Sequence, residues 1–441
     1  MEEKVPKRIT DEITLDLPRN WESRSLNELC KIKIGGTPKT NIKSFWNGSI
    51  KWATAKDISN TSGRFIQKTE KTITKEGSDR SAAKILPANT IVITARGTVG
   101  KMAITPEPMA INQTCYGLLA ENIDNMFLYY SVKSAIEKLM GVSYGTVFDT
   151  ITIKSFENIR LLVPNNRAEQ RAIAKILSDL DSKIELNQKM NKTLEAIAQA
   201  IFKHWFIDFE FPNEEGKPYK SSGGEMVDSE LGEIPKRWEV KKIRDVLREI
   251  SSGSRPKGGI DKKLCNGIPS IGAENINGLG HYDFSKTRYV SDGFFEKNQK
   301  GMVMDRDVLL YKDGAQLGRK TIFGGGFPFI KCMVNEHVFI LRVREELRQS
   351  YLYFWLDRND VTDAIRNLNT NSAQPGLNKE AVGSLRILVP QLHILSEFDL
   401  LISFLLNRIF NNSLQSKTID EIRDLLLPKL VSGKIRVPLE E

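Results

Sequence analysis

NIRLLVP (Asn158–Pro164) returns as SLRILVP (Ser384–Pro390), and after each proline an apolar, strand-like run gives way to a long helical periodicity. Two strands of one kind, each feeding a helix of one kind, imply a chain built twice. Working outward, the echoes keep one order. LPRNWE (from Leu17) faces IPKRWE (from Ile234), and GGTP (Gly35–Pro38) faces GSRP (Gly253–Pro256), both glycine–proline turns. IKWATAKDI (from Ile50) answers IPSIGAENI (from Ile268). TIVITARGTVGK (from Thr90) answers DVLLYKDGAQLGRK (from Asp307), each a strand ending in a glycine turn with basic residues on either side. FLYY (from Phe127) matches YLYF (from Tyr351). The separation drifts from 217 residues at Trp21 and Trp238 to 226 at Pro164 and Pro390, as small loop insertions produce. Chance could make one such pair, but hardly six in one order. The reading is a mixed α/β (α+β) fold with two tandem, pseudo-symmetric globular heads, each of ordinary domain size. Trp21 and Trp238 are expected to pack in the core at the entrance of each head.

The period after each proline is that of a coiled coil. Ile173, Leu177, Leu180 and Ile184, then Leu194, Ala198, Ile201 and Trp205, alternate steps of four and three, with Asn187 and Asn191 in the two missing seam positions. The second seam runs Phe398, Ile402, Leu405, Ile409, Asn412, Ser416, Ile419, Arg423, Leu426, Leu430, and meets no proline before Pro428. Each helix is expected to span roughly 60 Å at about 1.5 Å per residue. An antiparallel pair would bring the centres together, so Asn187 and Asn412 are expected to face each other and fix the register. Ile176, Leu186, Met190, Ile197 and Phe202 widen the apolar face beyond what two helices need. The divisions are heads at 1–164 and 234–390, helices at 165–210 and 391–433, a Gly-, Pro- and Ser-rich connector at 211–233 and a tail at 434–441.

Composition fixes the class. The chain of 441 residues is 40% hydrophobic and 27% charged, which describes globular domains rather than disorder. LLISFLL (from Leu400) is far too short for a bilayer span, so no membrane partner is expected. The opening MEEKVPKRIT has no apolar signal region, and the four scattered cysteines form no C-x-x-C pair. Both point to the cytoplasm and argue against zinc. The net charge of +9 favours a polyanionic partner.

No catalytic motif emerges. ARGTVGKM departs from the phosphate-binding loop at Ala95 and Met102, and FGGGFP (from Phe323) lacks the helix a dinucleotide site needs. His204, His281, His337 and His393 have no metal-ligand spacing and read as structural. Neither G-x-S-x-G nor an Asn/Asp-Pro-Pro-aromatic tetrapeptide occurs. Two similar heads with basic loops suit double-stranded DNA, which a two-headed reader can touch at two short sites. The candidate DNA-binding residues are Thr37, Lys39, Arg96, Thr98 and Lys101 in the first head, with Tyr144 and Thr146 in SYGTVFD. Their counterparts are Arg255, Lys257, Lys312, Gln316, Arg319 and Lys320 in the second, with Gln374 in NSAQPGL. Arg and Lys can neutralise phosphate or contact guanine, and Gln can pair with adenine. Two alternatives stand beside this: a coiled-coil scaffold or adaptor whose heads grip proteins, and a methyltransferase with a divergent catalytic domain.

Four segments carry a resemblance: NNRAEQRAIAKIL (from Asn165), IFKHWFIDFEFP (from Ile201), GEMVDSELGEIPKRWEV (from Gly224) and IRDLLLPKLVSGKIRV (from Ile422). With them the chain resembles the specificity (S) subunits of type I restriction-modification enzymes. QLHILSEFDLLISFL (from Gln391) departs from the pattern, lacking the EQ-x-x-I phrase of the first helix. The resemblance implies a non-catalytic subunit with two target recognition domains, each reading half of a split, asymmetric DNA site. It implies that the helices set the spacer and dock two methylation (M) subunits, and that restriction (R) subunits complete the complex. S-adenosylmethionine would then sit on the methylation subunits and ATP and Mg on partner subunits, with no cofactor bound by this chain.

Overall fold

The structure, a computed structural model, describes residues 18–142, 150–261, 263–314, 316–368 and 376–438. The chain divides into two compact units, Met1–Glu185 with Thr418–Glu441, and Leu186–Lys417.

In the first unit Trp21–Ser25 pairs antiparallel with Arg160–Pro164, placing Trp21 opposite Pro164. A four-stranded antiparallel sheet has the order Cys30–Ile34, Cys115–Ala120, Ile91–Thr94, Met102–Ile104. All four residues of Ile91–Thr94 are buried, as an inner strand covered on both faces requires. A second sheet orders Lys71–Ile73, Trp46–Ala53, Met109–Ile111, Ile85–Leu86, and its two inner strands run parallel. The second unit repeats this plan. Glu239–Lys242 pairs with Arg386–Val389, and the four-stranded sheet is Leu247–Ser252, Val338–Val343, Val308–Tyr311, Lys320–Ile322. A smaller sheet orders Arg288–Val290, Ile268–Ile271, Met333–Val334, again with one parallel pair. Five of the six sequence echoes fall on equivalent strands or the turns beside them. The sixth, FLYY and YLYF, opens the helices Asn125–Val142 and Gln349–Asp357.

The long helices are Arg167–Phe206 and Leu392–Leu430. Asn166 caps the first by accepting from the Ala168 N–H at 2.8 Å. Both helices serve both units, so the compact units divide each helix instead of setting the helices apart. Ile173, Ala174, Leu177, Leu427 and Leu430 close the core of the first unit, against Leu26, Phe127 and Leu128. In the second, Phe202, Phe206 and Phe398 pack with Tyr351 and Phe354. Trp21 and Trp238 are both buried as expected. Trp238 stacks on Phe211 of the connector, whose hairpin pairs Met226–Ser229 with Gly232–Pro235.

Polar groups also hold the first unit. The Tyr130 hydroxyl donates to Asp181 at 2.6 Å, and Arg423 Nη1 donates to the other oxygen of Asp181 at 2.7 Å. Arg64 donates to Glu185 through Nε and Nη2, at 2.9 and 3.0 Å, and to Ser182 at 2.8 Å. Glu169 receives Trp21 Nε1 at 3.3 Å and Arg436 Nε at 2.9 Å, and Arg436 Nη1 reaches the Arg19 carbonyl at 3.4 Å. Gly433, at φ +70°, lies against Pro18 and Trp21.

The register amides differ from expectation in one respect. Asn187 Nδ2 donates to the backbone carbonyl of Asn412 (3.3 Å), to Gln415 (3.0 Å) and to Ser416 (3.2 Å). The side-chain amide of Asn412 instead donates to Asn191 Oδ1 at 2.9 Å. The two helices run antiparallel, and the amide–amide pair is Asn191–Asn412. Asn187 is 0% exposed and its Oδ1 has no hydrogen-bond partner. An orphaned buried acceptor costs about 1–3 kcal/mol. Asn187→Leu is therefore expected to stabilise the second unit by roughly 1 kcal/mol, with the register kept by Asn191 and Asn412. A lower thermal midpoint, or a cross-link between residues one turn out of register, would refute this.

Candidate nucleic-acid interface

Each head gathers the same three loops, and the same hydrogen bonds hold them. The hairpin after the inner strand is closed by Thr94 N–H to Lys101 O (2.9 Å) and Gly100 N–H to Thr94 O (2.9 Å). In the second head Tyr311 N–H reaches Arg319 O (2.7 Å) and Gly318 N–H reaches Tyr311 O (3.1 Å). A turn beginning at an asparagine lies beside it. Ala95 N–H bonds Thr114 O, as Lys312 N–H bonds His337 O, while Asn112 and Asn335 donate to the Ala53 and Ile271 carbonyls, both at 2.9 Å. The glycine–proline loop packs on that turn so closely that a Cβ on Gly35 would strike the Asn112 carbonyl, and one on Gly253 the Val334 carbonyl. This is the physical reason for glycine at both places.

The frame carries different side chains in the two heads. Thr37 is half-buried and donates to Gln113, whereas Arg255 at the equivalent place pairs with Glu336 at 2.7 Å. Lys39 and Lys257 are both exposed. Arg96, Thr98 and Lys101 are exposed on the first hairpin, with Thr98 bonded to Ser59. Gln316 and Arg319 are exposed on the second, with Arg319 Nη1 donating to Asn277 at 3.3 Å. Another pair changes sign: Lys56 holds Glu70 at 2.8 Å in the first head, and Glu274 holds Arg288 at 3.4 Å in the second. Tyr144, Thr146 and Gln374 lie outside the described residues.

Two assignments need correction. Lys320 is buried, 6% exposed, on the strand Lys320–Ile322. Its ammonium donates to the Leu356 carbonyl (2.7 Å) and Thr362 (2.6 Å) and meets Asp357 at 3.4 Å, so it cannot reach DNA. Burial holds its pKa below the ordinary lysine value, with Asp357 opposing. Lys312 corresponds to buried Ala95, and its ammonium lies 4.9 Å from the Phe339 ring centre. The place of Arg96 is taken by Asp313, as their matching bridges to Thr150 and Gly376 show. The asparagine turn leaves little mark in the sequence. INQT (Ile111–Thr114) and VNEH (Val334–His337) share only the asparagine, a signal visible once the strands on either side are aligned. His337 belongs to this cluster.

Two copies of one loop frame, each joined to one stretch of an antiparallel helix pair, define a duplicated recognition protein. The sequence agrees: the type I restriction modification DNA specificity domain matches residues 18–196 and again 235–423. The chain belongs to the family of type I restriction-modification specificity subunits, with one such domain in each half. The type I restriction enzyme MjaIX specificity subunit of Methanocaldococcus jannaschii is 29% identical over 435 residues, covering 96% of this chain and 95% of that protein. The HindI specificity subunit of Haemophilus influenzae is 24% identical over 68% of this chain and 74% of its own length. The crystal structure of a type I S subunit from M. genitalium shares the fold, with a TM-score of 0.53 at 15% identity over 95% of this chain and 97% of that one. No helix among the described residues is long and apolar enough to cross a membrane.

Proposed function

We propose that each head reads one half of a bipartite, asymmetric DNA site through the three loops, and that the helix pair sets the spacer. The observation behind this is a constant backbone frame with unlike side chains: Thr37 and Gln113 in one head stand where Arg255 and Glu336 stand in the other. A common frame fixes where a groove edge must lie, and the variable side chains choose the base. The readers proposed are Lys39, Arg96, Thr98 and Lys101 with Thr37, and Arg255, Lys257, Gln316 and Arg319, with Lys312 limited to phosphate. The heads are the divisions 1–164 and 234–390. Two methylation subunits would dock on the helices, restriction subunits would complete a cytoplasmic complex, and S-adenosylmethionine, ATP and Mg would be held by those partners. This chain then contributes the address and no reacting group.

Binding of a duplex carrying the site should fall steeply with salt, roughly a thousand-fold between about 50 and 200 mM if about six phosphates are neutralised. Fluorescence anisotropy across that range checks it. A flat salt response, or equal affinity for every duplex sequence, would remove the proposal and favour a protein-binding scaffold.

A further inference from the structure

The second head carries a chain of polar and charged side chains with no equivalent among the described residues of the first. Arg255 of the glycine–proline loop meets Glu336 of the asparagine turn, Nε to Oε1, at 2.7 Å. The same carboxylate lies 3.4 Å from His337 Nε2, and His337 Nδ1 lies 3.0 Å from Asp313 of the hairpin. Three loops are thus joined through side chains. At the matching places the first head has Thr37, Gln113, Thr114 and Arg96, and among the described residues these are joined only by the neutral Thr37–Gln113 bond and the Thr114 carbonyl.

Both Glu336 carboxylate oxygens are buried and make no hydrogen bond, so the ion pair with Arg255 is what offsets the cost of burying that charge. Glu336 takes the Nε side of the Arg255 guanidinium. Among the described residues the Arg255 guanidinium makes no hydrogen bond, its contact with Glu336 being an ion pair, and the side chain is 61% exposed. Nη1 and Nη2 form the fork that matches the O6 and N7 acceptors of guanine. The base of the loop is fixed as well, since Gly253, two residues before Arg255, is pressed against the Val334 carbonyl. A long side chain ordinarily loses freedom on binding, and a carboxylate that already holds its fork removes part of that cost.

We infer that Arg255 reads a guanine in the half-site of the second head, and that Glu336 is the positioning residue that aims it. His337, hydrogen-bonded to Asp313 of the hairpin at 3.0 Å, stands 3.4 Å from the same carboxylate. The inference rests on the proposed reading of DNA by the heads and adds the base and the residue that orients its reader. It also gives a reason for the two half-sites to differ at this place, because Thr37 and Gln113 offer no cationic fork.

The test is selection from duplexes randomised in both half-sites, using the full chain assembled with its methylation subunits. The wild type should select guanine at a position in one half-site that Glu336→Gln relaxes about ten-fold or more, the size of one bidentate base contact. Arg255→Lys keeps the charge and loses the fork, so the same position should relax while the salt dependence of binding stays as it was. Glu336→Asp should restore part of the preference. Unchanged base preference in both Glu336→Gln and Arg255→Lys, with wild-type thermal midpoints, would overturn the inference and leave the reading of DNA by the heads standing. Failure of the wild type to select any sequence would overturn both.

Discussion

Exchanging residues 18–164 for the corresponding head of another specificity subunit is expected to change one half of the recognised DNA sequence and leave the other half as it was. Each unit has its own sheets and its own buried core, and the proposed readers of each head stand on loops held by that head's own backbone bonds. A mismatched base pair costs about 1–3 kcal/mol, so about three altered base pairs should weaken binding to the old site roughly a hundred-fold or more. The graft must also satisfy the helices. Arg64 leaves with the old head, and Glu185 would lose the guanidinium that holds both its oxygens. Ile173, Leu177, Leu427 and Leu430 must again find an apolar face. A new head with a cation near position 64 and leucines near 26 and 29 should dock without loss. Mapping of methylated bases in DNA exposed to the complete complex reads the result directly. A change in both halves would mean that the heads do not read independently.

The second large effect belongs to a buried ion pair. Asp181 and Arg423 have side chains 7% and 12% exposed, and Tyr130 also donates to Asp181. Arg423→Leu removes the countercharge and leaves the buried carboxylate with only the Tyr130 hydroxyl as a direct hydrogen-bond donor among the described residues. The expected loss is about 3–5 kcal/mol, seen as an earlier urea midpoint for the first unit. Replacing the carboxylate too changes the sign of the argument, because the carboxylates that then lose Arg423, Asp420 and Asp424, are half exposed to water. Asp181→Leu with Arg423→Leu, in a Tyr130→Phe background so that no hydroxyl is stranded, should recover most of the loss. Equal destabilisation by the single and the combined variants would show that the charges contribute little beyond packing.

Much of this architecture could be read from the chain because backbone patterns are local. A strand that alternates or runs apolar, a turn that needs glycine, and a seam with steps of four and three each leave a mark a few residues long. The second copy confirmed each mark. The side-chain assignments were harder for a definite reason. The second hairpin is one residue longer between its closing bonds, Tyr311 to Arg319 against Thr94 to Lys101, so matching the two runs at their final lysines sets Lys320 opposite Lys101. Hydrogen bonds put Arg319 there and Lys320 in the sheet, and they place Asp313 where Arg96 stands. Seam spacing put Asn187 and Asn191 on one stripe, yet the choice of partner for Asn412 depends on how two helices slide past each other. Neither helix alone carries that information. The Glu336 link was hidden for a similar cause, since its partner Arg255 is 81 positions away in the chain.

Within the first unit, Gly433 rests on Pro18 and Trp21, and Arg436 reaches the Arg19 carbonyl and Glu169. The path from Pro18 out through the second unit and back to Arg436 is therefore nearly a closed circuit. On a circuit either head could come first in the chain with the contacts around Gly433 and Arg436 still in place. Genes that join residue 436 to residue 18 through a short linker and begin in the connector would spell the same protein from another starting letter.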